Sequence, residues 1–349
     1  MRKILYKLPV LKQIHELHLM VDELKKINAD YKNEISRLKN EKLSRNEFYK
    51  ACNGIRRDMR YDFFRGLPRE KYKEALCDWF YVQTGKRLNM DNPRTYNEKI
   101  QWMKLYDSTP LKTRLADKVA VREWVSEKIG EQYLVPCYGV WNCFEEINFD
   151  MLPDQFVLKA NHGCGWNVIV KDKKNLDKDD AGKKFHDWMG RNYAWYGMEL
   201  HYKDIPPKIY AEKYLENNGD LYDYKFFCAD GLIRCIQAVT EKMSGGGYST
   251  IFDSEWNRQD LRIGCQPRSR TDIPKPDSFD EMKNIVLKLC EGFPFVRVDL
   301  YNIEGKIYFG EMTFTSGNGR SRFDPEEYNT LLGEMITLPD TKIQHMQKM

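Results

Sequence analysis

The chain has 349 residues, enough for two packed units and an extension, with 42% hydrophobic residues to build a core. Its net charge is only +4 and is uneven: residues 1–50 hold 12 Lys/Arg against 7 Asp/Glu, and the rest is balanced at 44 against 45. A main body without basic excess argues against a nucleic-acid enzyme. The basic N-terminus is then either a solvated helix face or a contact for an anionic membrane surface. The nine cysteines are scattered without a C-x-x-C pair, which argues against a disulfide framework or zinc site and for a cytoplasmic chain with reduced thiols. Charges interrupt every apolar stretch of the first twenty residues, so neither a spanning helix nor a signal peptide is expected.

Taken in order, the N-terminal segment carries a heptad seam. Ile14, Val21, Asn28 and Ile35 alternate with Leu17, Leu24, Tyr31 and Leu38. This a/d pattern, with Asn28 at an a position, favours a parallel two-stranded coiled coil and a homodimer over a single helix packed on the chain's own body. Residues 46–110 read as mostly helical. From Leu115 a helix is expected to run to Gly130, a C-cap. Extended segments follow at 156–160, 168–171, 209–215, 224–229 and 233–238, the last two joined by an Asp230-Gly231 hairpin turn. A helix over 278–290 precedes a final hairpin over 295–314. Irregular alternation with frequent hairpins indicates an α+β fold, not a parallel βαβ series.

The final hairpin carries the chemistry. Alternation places Arg297 and Asp299 on one strand face, and Glu311 and Thr313 share a face of the returning strand with Ile307 and Phe309. Pairing Tyr301 with Ile307 would set Arg297 opposite Glu311. Buried charges are costly unless paired or ligated. Two adjacent carboxylates suit Mg²⁺, and a neighbouring arginine suits a phosphate oxygen; the competing explanation is a structural ion cluster. Upstream, Lys159 lies on an apolar strand leading into Asn161-His162-Gly163-Cys164-Gly165-Trp166, a glycine-containing loop whose N–H groups can curl around an anion or simply make a turn. The strand ending in Glu212, Lys213, Tyr214 and Leu215 can read an adenine edge and hold ribose, or be a plain edge strand. Lys225, on a later strand, reaches a phosphate or solvent. His162 and His201 read as hydrogen-bonded loop histidines before proton carriers.

In this order, the strings NPRTYNEKIQWMKLYD, LADKVAVREWV, FVLKANHGCGWN, ELHYKDIPPKIYAEKYL, DYKFFCADG and FPFVRVDLYNIEGKIYFGEMTFTSGNG resemble the TupA-like ATP-grasp family, from about residue 92 to 333. The resemblance implies two α+β lobes clasping ATP. The expected organisation is an N-terminal helix over 1–45, a helical region over 46–110, a small lobe over 111–215 and a large lobe over 216–340. It implies Lys118 and Lys159 at the nucleotide, with Gly163, Gly165 and Trp166 over the phosphates. Glu212, Lys213, Tyr214 and Leu215 fall at the adenine and ribose. Asp299 and Glu311 become Mg²⁺ ligands, while Arg297 and Lys225 serve the transferred phosphoryl group. Many superfamily members read Glu-x-Asn where this chain reads Glu311-Met312-Thr313, so the third metal position rests on the Thr313 hydroxyl or a water.

The implied reaction is an amide ligation. A carboxylate acceptor, by resemblance a uronic acid on a cell-surface polysaccharide, is activated by ATP and joined to an amine or amino acid. Two other classes compete. A glycosyltransferase of polysaccharide biosynthesis would carry a D-x-D at a strand end, and Asp177-Lys178-Asp179 lies in a solvated run instead. A scaffold working through its heptads leaves the paired carboxylates unexplained.

Overall fold

Apolar runs punctuated by Gly, Asn and Asp fold here as hairpins. The computed structural model describes residues 45–340 except 217–220, 241–246 and 270–271, together with residues 22, 25–26, 28–34 and 36–37. Of the heptad seam only Asn28 and Tyr31 are among these, so the expected coiled-coil dimer lies outside the described residues. The Tyr31 hydroxyl donates to Asp62 at 2.9 Å. No helix among the described residues is long and apolar enough to cross a membrane.

The chain divides into two compact units. The first comprises residues 1–72 and 195–197. Its helix α1 (Arg45–Gly66) is tied to Tyr196 by the Arg60 Nε bond to the Tyr196 carbonyl at 3.0 Å and by Tyr61, whose ring centroid is 5.1 Å away.

The second unit, residues 73–194 and 198–349, holds every sheet formed by the described residues. It takes in most of α2 (Tyr72–Thr84) and then α3 (Tyr96–Tyr106). A capping box starts α3, with Thr95 Oγ1 accepting from the Glu98 N–H and the Glu98 carboxylate accepting from the Thr95 N–H. The expected 115–130 helix is two helices, α4 (Pro110–Ala116) and α5 (Val121–Ile129). Asp117 breaks it: its Oδ1 accepts from the N–H groups of Val119 at 2.8 Å and Ala120 at 3.2 Å, offering the backbone an alternative to continued helix. Gly130, at φ +110°, ends α5 as expected.

Strands β1 (Cys137–Trp141), β2 (Phe156–Ala160) and β3 (Asn167–Val170) precede helix α6 (Lys178–Met189), and β4 (Ile209–Lys213) follows it. They form a four-stranded sheet in the order β1-β4-β2-β3, antiparallel throughout. Phe156, Leu158, Ile209 and Ala211 bury one face of it in a core with Phe185 of α6. The larger sheet uses β5 (Asp223–Ala229), β6 (Leu232–Thr240), β7 (Tyr248–Phe252) and β8 (Arg258–Gln259), and a short β9 (Arg262–Ile263) follows. Helix α7 (Phe279–Cys290), strands β10 (Phe295–Ile303) and β11 (Lys306–Thr313), short β12 (Phe323–Asp324) and helix α8 (Glu327–Glu334) complete the chain. The six-stranded order is β11-β10-β5-β6-β7-β8. The β5–β6 turn forms at Asp230 (φ +51°) and Gly231 (φ +73°), the left-handed pair a two-residue hairpin demands. Helix α7 lays Phe279, Met282, Val286 and Leu289 into one core with Val296, Val298 and Leu300. Each such side chain contributes about 1.5–3 kcal/mol when fully buried. The fold is α+β, as the sequence indicates.

The hairpin register differs from the expected one. Arg297 pairs with Thr313 and Asp299 with Glu311, then a bulge follows and Leu300 pairs with Phe309 and Tyr301 with Tyr308. Gly310 is the extra residue. It reverses the alternation of β11, so Ile307 and Phe309 enter the core while Glu311 and Thr313 leave it. Without the bulge the two hydrophobic residues would share the face of the carboxylate. A Cβ on Gly310 would sit 3.0 Å from the Asp299 carbonyl oxygen and 3.2 Å from the Tyr301 ring. Gly310→Ala should therefore cost about 1–3 kcal/mol in urea unfolding, and a neutral result would show that the bulge is loosely packed.

Candidate active site

Three adjacent strands set the site. Asp299, at the centre on β10, is directly opposite Lys225 of β5 and Glu311 of β11. Arg297 grips Asp299 with two bonds, Nε to Oδ1 at 2.6 Å and Nη2 to Oδ2 at 2.7 Å. Its Nη2 also reaches Glu311 Oε1 at 2.9 Å and Thr313 Oγ1 at 3.1 Å, and its Nη1 reaches Ser316 Oγ at 2.9 Å. Lys225 Nζ lies 2.6 Å from both Asp299 Oδ2 and Asp223 Oδ2. The Asp299 side chain is 3% exposed and that of Glu311 33%, so the cluster opens to solvent on the Glu311 side.

Three carboxylates, Asp223, Asp299 and Glu311, are paired with two cations, Arg297 and Lys225, and the charge of Lys118 also acts on Glu311. Burial works against the Glu311 carboxylate, yet Lys118, Arg297 and Lys225 together hold its pKa below the usual range. Burial likewise works against charged Lys225, but Asp299, Asp223 and Glu311 together outweigh it and hold the lysine protonated. Thr313 donates to Glu311 Oε1 at 3.0 Å while accepting from Arg297, which orients the carboxylate.

The break after α4 has a use. Asp117 Oδ1 also accepts from Asn161 Nδ2 at 2.8 Å, and the Lys118 N–H donates to the Asn161 carbonyl at 3.2 Å. Lys118 Nζ then reaches the Gly163 carbonyl at 2.5 Å, so it sits on the glycine loop and within the field of Glu311. The loop closes through the Ala160 N–H bond to the Trp166 carbonyl at 2.9 Å, with Gly165 at φ +72°. Trp166 packs between His162 (5.0 Å), Trp188 (6.4 Å) and Tyr193 (5.4 Å). A Cβ on Gly163 would lie 2.4 Å from the Trp166 ring. Gly163→Ala should displace that ring and weaken ATP binding about tenfold, or 1.4 kcal/mol, by calorimetry; an unchanged affinity would show that Trp166 does not shape the nucleotide site.

On the small sheet, Lys159 of β2 makes an ion pair with Glu212 of β4. Strand β4 ends at Lys213, which is exposed, two residues before the expected end. Beyond it the Tyr214 hydroxyl is enclosed with no hydrogen-bond partner among the described residues, a polar edge that a ligand would satisfy. Leu215 is half-buried. Thus Arg297, Lys225, Asp299, Glu311 and Thr313 form one cluster, Lys118 joins it to the Gly163–Trp166 loop, and Lys159 with Glu212 forms a second polar group on the smaller sheet.

Both histidines are buried. Burial lowers the pKa of His162, and burial with Lys112 and Lys104 brings His201 to about 3, so His201 stays neutral at ordinary pH. Asp223, Ser316, Tyr193 and Glu199 are further residues here that no sequence motif singled out. Asp223 had a signal, since it shares a strand face with Lys225. Two wider grooves flank residues 337–339, but Asp230 there is spent on the Thr337 N–H and hydroxyl.

A family profile, TupA-like ATPgrasp, matches residues 98–337, more than half of the chain. The chain belongs to the TupA-like ATP-grasp family. It is an ATP-grasp enzyme, and its two larger antiparallel sheets with flanking helices are the α+β fold expected of one. No curated protein matches the sequence. Similar solved structures include the D-alanine–D-alanine ligase from Bacillus anthracis complexed with ATP, at 16% identity over 68% of this chain and 67% of that one, with a TM-score of 0.36. The ATP-grasp ligase PsnB complexed with minimal precursor, Mg and ADP is 10% identical over 68% of this chain and 65% of its own, with a TM-score of 0.35. Biotin carboxylase from Campylobacter jejuni is 14% identical over 65% and 48%, also at 0.35. The TupA-like chain spans about two thirds of the first two and about half of the third.

Mg²⁺ fits the donor set. Asp299 and Glu311 offer hard oxygens at directly paired positions, and no group of three or more His, Cys, Asp or Glu among the described residues forms a cage of its own. Mg²⁺ commonly takes one or two carboxylates and completes its shell with water and substrate phosphates.

Proposed function

We propose that this TupA-like protein is an ADP-forming carboxylate–amine ligase that uses Mg-ATP and proceeds through an acyl phosphate. The observation that carries the reading is the convergence of Arg297, Lys225, Asp299 and Glu311 on one face of three adjacent strands, open on the Glu311 side. Asp299 and Glu311 would hold Mg²⁺, with the Thr313 hydroxyl beside them. Bound there, the metal ion supplies charge neutralisation at the β- and γ-phosphates.

The residues divide the remaining work. Lys118 and Lys159 act as point charges for the phosphates. The Gly163–Trp166 loop covers them and excludes water, and residues 212–215 meet the adenine and ribose. Arg297 and Lys225 hold the carboxylates until phosphate oxygens compete for their N–H groups. The substrate carboxylate attacks the γ-phosphorus, the bond to ADP breaks, and Arg297 with Lys225 offsets the charge on the transferring group. An amine then displaces phosphate to form the amide. No nucleophilic side chain is required, so the protein contributes positioning and electrostatics. The family resemblance supports a uronic acid of a cell-surface polysaccharide as the carboxylate and an amino acid or other amine as its partner.

The test is ADP release from Mg-ATP with pooled uronic acids and amino acids. ADP formed only when both pools are present supports the ligase. Absence of ATP binding by calorimetry, with cleavage of a nucleotide sugar instead, would sink it.

A further inference from the structure

Helix α3 takes no part in the reading above, yet one of its faces is both polar and buried. Asn97, Gln101 and Lys104, spaced by four and three residues, share that face. They are 7%, 0% and 0% exposed. A polar side chain out of water is costly unless hydrogen-bonded, and a buried cation more so. All three direct hydrogen bonds at one short segment, residues 318–321.

The Asn97 amide brackets Ser321, donating to its carbonyl at 2.8 Å and accepting from its N–H at 3.0 Å. Gln101 Nε2 donates to the carbonyls of Asn318 and Gly319, each at 2.9 Å. Lys104 Nζ donates to the Asn318 carbonyl and to Gln101 Oε1, each at 2.9 Å, which orients the glutamine amide. The approach is close: a Cβ on Gly319 would lie 2.6 Å from Gln101 Nε2.

What α3 grips is an unusual turn. Gly317, Asn318 and Gly319 stand at φ +62°, +55° and +61°, left-handed residues in succession. Asn318 carries a Cβ, and such a run persists only where its surroundings over-determine it. Within the turn, the Asn318 N–H donates to the Thr315 carbonyl at 2.8 Å and the Arg320 N–H to the Gly317 carbonyl at 3.1 Å. The Asn318 and Gly319 carbonyls are held from α3.

The head of the turn lies at the reaction centre. It follows β11, the strand of Glu311 and Thr313, and begins at Ser316, whose hydroxyl accepts from Arg297 Nη1 at 2.9 Å. The neighbouring Thr315 hydroxyl donates to buried Glu199 at 2.5 Å. Arg297 gives Nε and Nη2 to Asp299, Glu311 and Thr313, so among the described residues Ser316 is what holds Nη1. The guanidinium is rigid and planar, and a partner on Nη1 fixes the direction in which its other N–H groups face.

We propose that Gln101 is a positioning residue for phosphoryl transfer. From α3 it pins the turn by its carbonyls, and Ser316 then aims Arg297 at the phosphoryl group while the bond from the substrate carboxylate to phosphorus forms and the bond from phosphorus to ADP breaks. This role rests on the ligase reading above. Lys104 orients the Gln101 amide, and Asn97 holds the exit of the turn. With the turn displaced, Arg297 stays on Asp299 but tilts, and a misplacement of about 1 Å costs about 10²-fold in rate. Nucleotide affinity does not depend on the turn, because Lys159, the 163–166 loop and residues 212–215 belong to the smaller sheet and its connections.

The experiment uses the full-length wild type, Gln101→Met, Ser316→Ala and the double variant. It measures ADP release from Mg-ATP with the pooled uronic acids and amino acids, and ATP affinity by calorimetry. Methionine keeps the length of glutamine and removes its hydrogen bonds. Each single variant should lower kcat about 10²-fold with ATP affinity unchanged. The double variant should be no slower than Ser316→Ala alone, because the two residues act in one chain. If Gln101 only packs the helix, the losses multiply in the double variant or ATP affinity falls with turnover, and either result overturns the inference. Wild-type turnover in Gln101→Met or in Ser316→Ala does the same. Should Gln101→Met no longer bind ATP, Gln101→Glu takes its place, since its carboxylate keeps the Lys104 bond and loses both donors to the turn, and the same outcomes decide. A wild type that releases no ADP with both pools overturns the ligase reading, and this role with it.

Discussion

Glu311→Gln should lower Mg-dependent ATP turnover by about 10³-fold while leaving the protein folded. Glutamine keeps the volume and one carbonyl oxygen, so Thr313 and Arg297 retain a partner. What goes is the negative charge, and with it one of the two carboxylates available to a divalent cation. Because the Glu311 side chain is 33% exposed, the loss leaves little uncompensated charge in the dry part of the cluster. The measurements are ADP release against Mg²⁺ concentration, which should flatten, and a thermal melt, which should hardly move. Retained turnover would mean the metal sits elsewhere. The wild type carries a companion expectation. Lys118, Arg297 and Lys225 hold Glu311 below its ordinary value of 4.5 despite burial, so the ionised form persists as pH falls to that value. Metal-dependent ATP binding should accordingly be lost only below it. A loss already centred above pH 4.5 would indicate that those cations do not face Glu311.

How far the sequence reaches is clearest on the strands. The β2 run from Phe156 to Ala160 was legible to the residue, because five apolar-rich positions end at a glycine-containing loop. The Asp230-Gly231 turn was equally plain, since few residue pairs take two left-handed positions. Period-2 alternation placed Arg297 and Asp299 on one face correctly. It could not place Glu311 against Asp299, because a bulge shifts the register by one residue and turns over every side chain before it. The isolated glycine at 310, inside an otherwise regular strand, was the available signal. The break at Asp117 was hidden for a different reason. Apolar spacing continues across it, and only the Asx contacts to Val119, Ala120 and Asn161 interrupt the helix. Glu199 lay in a string with no periodicity, and the hydroxyl that bonds it, Thr315, is far along the chain. Long-range pairing of that kind leaves no local pattern.

Arg297→Ala should destabilise the fold by about 3–5 kcal/mol and abolish turnover as well. The guanidinium is the hub of the cluster: it makes two bonds to Asp299 and one each to Glu311, Thr313 and Ser316. Asp299, 3% exposed, would keep only Lys225, which Asp223 already shares. Truncation therefore leaves a buried carboxylate under-compensated, and that penalty exceeds the value of any single bond lost. Arg297→Lys separates the two contributions. It restores a charge but not the planar fork, so it should recover part of the stability and little of the turnover. Urea unfolding of both variants, with Asp299→Asn and the double variants to close the cycle, measures the coupling. A loss below about 1 kcal/mol for Arg297→Ala, the range of exposed ion pairs, would show that water reaches Asp299. A metal site exposed on that side would then need carboxylates held by something other than this arginine.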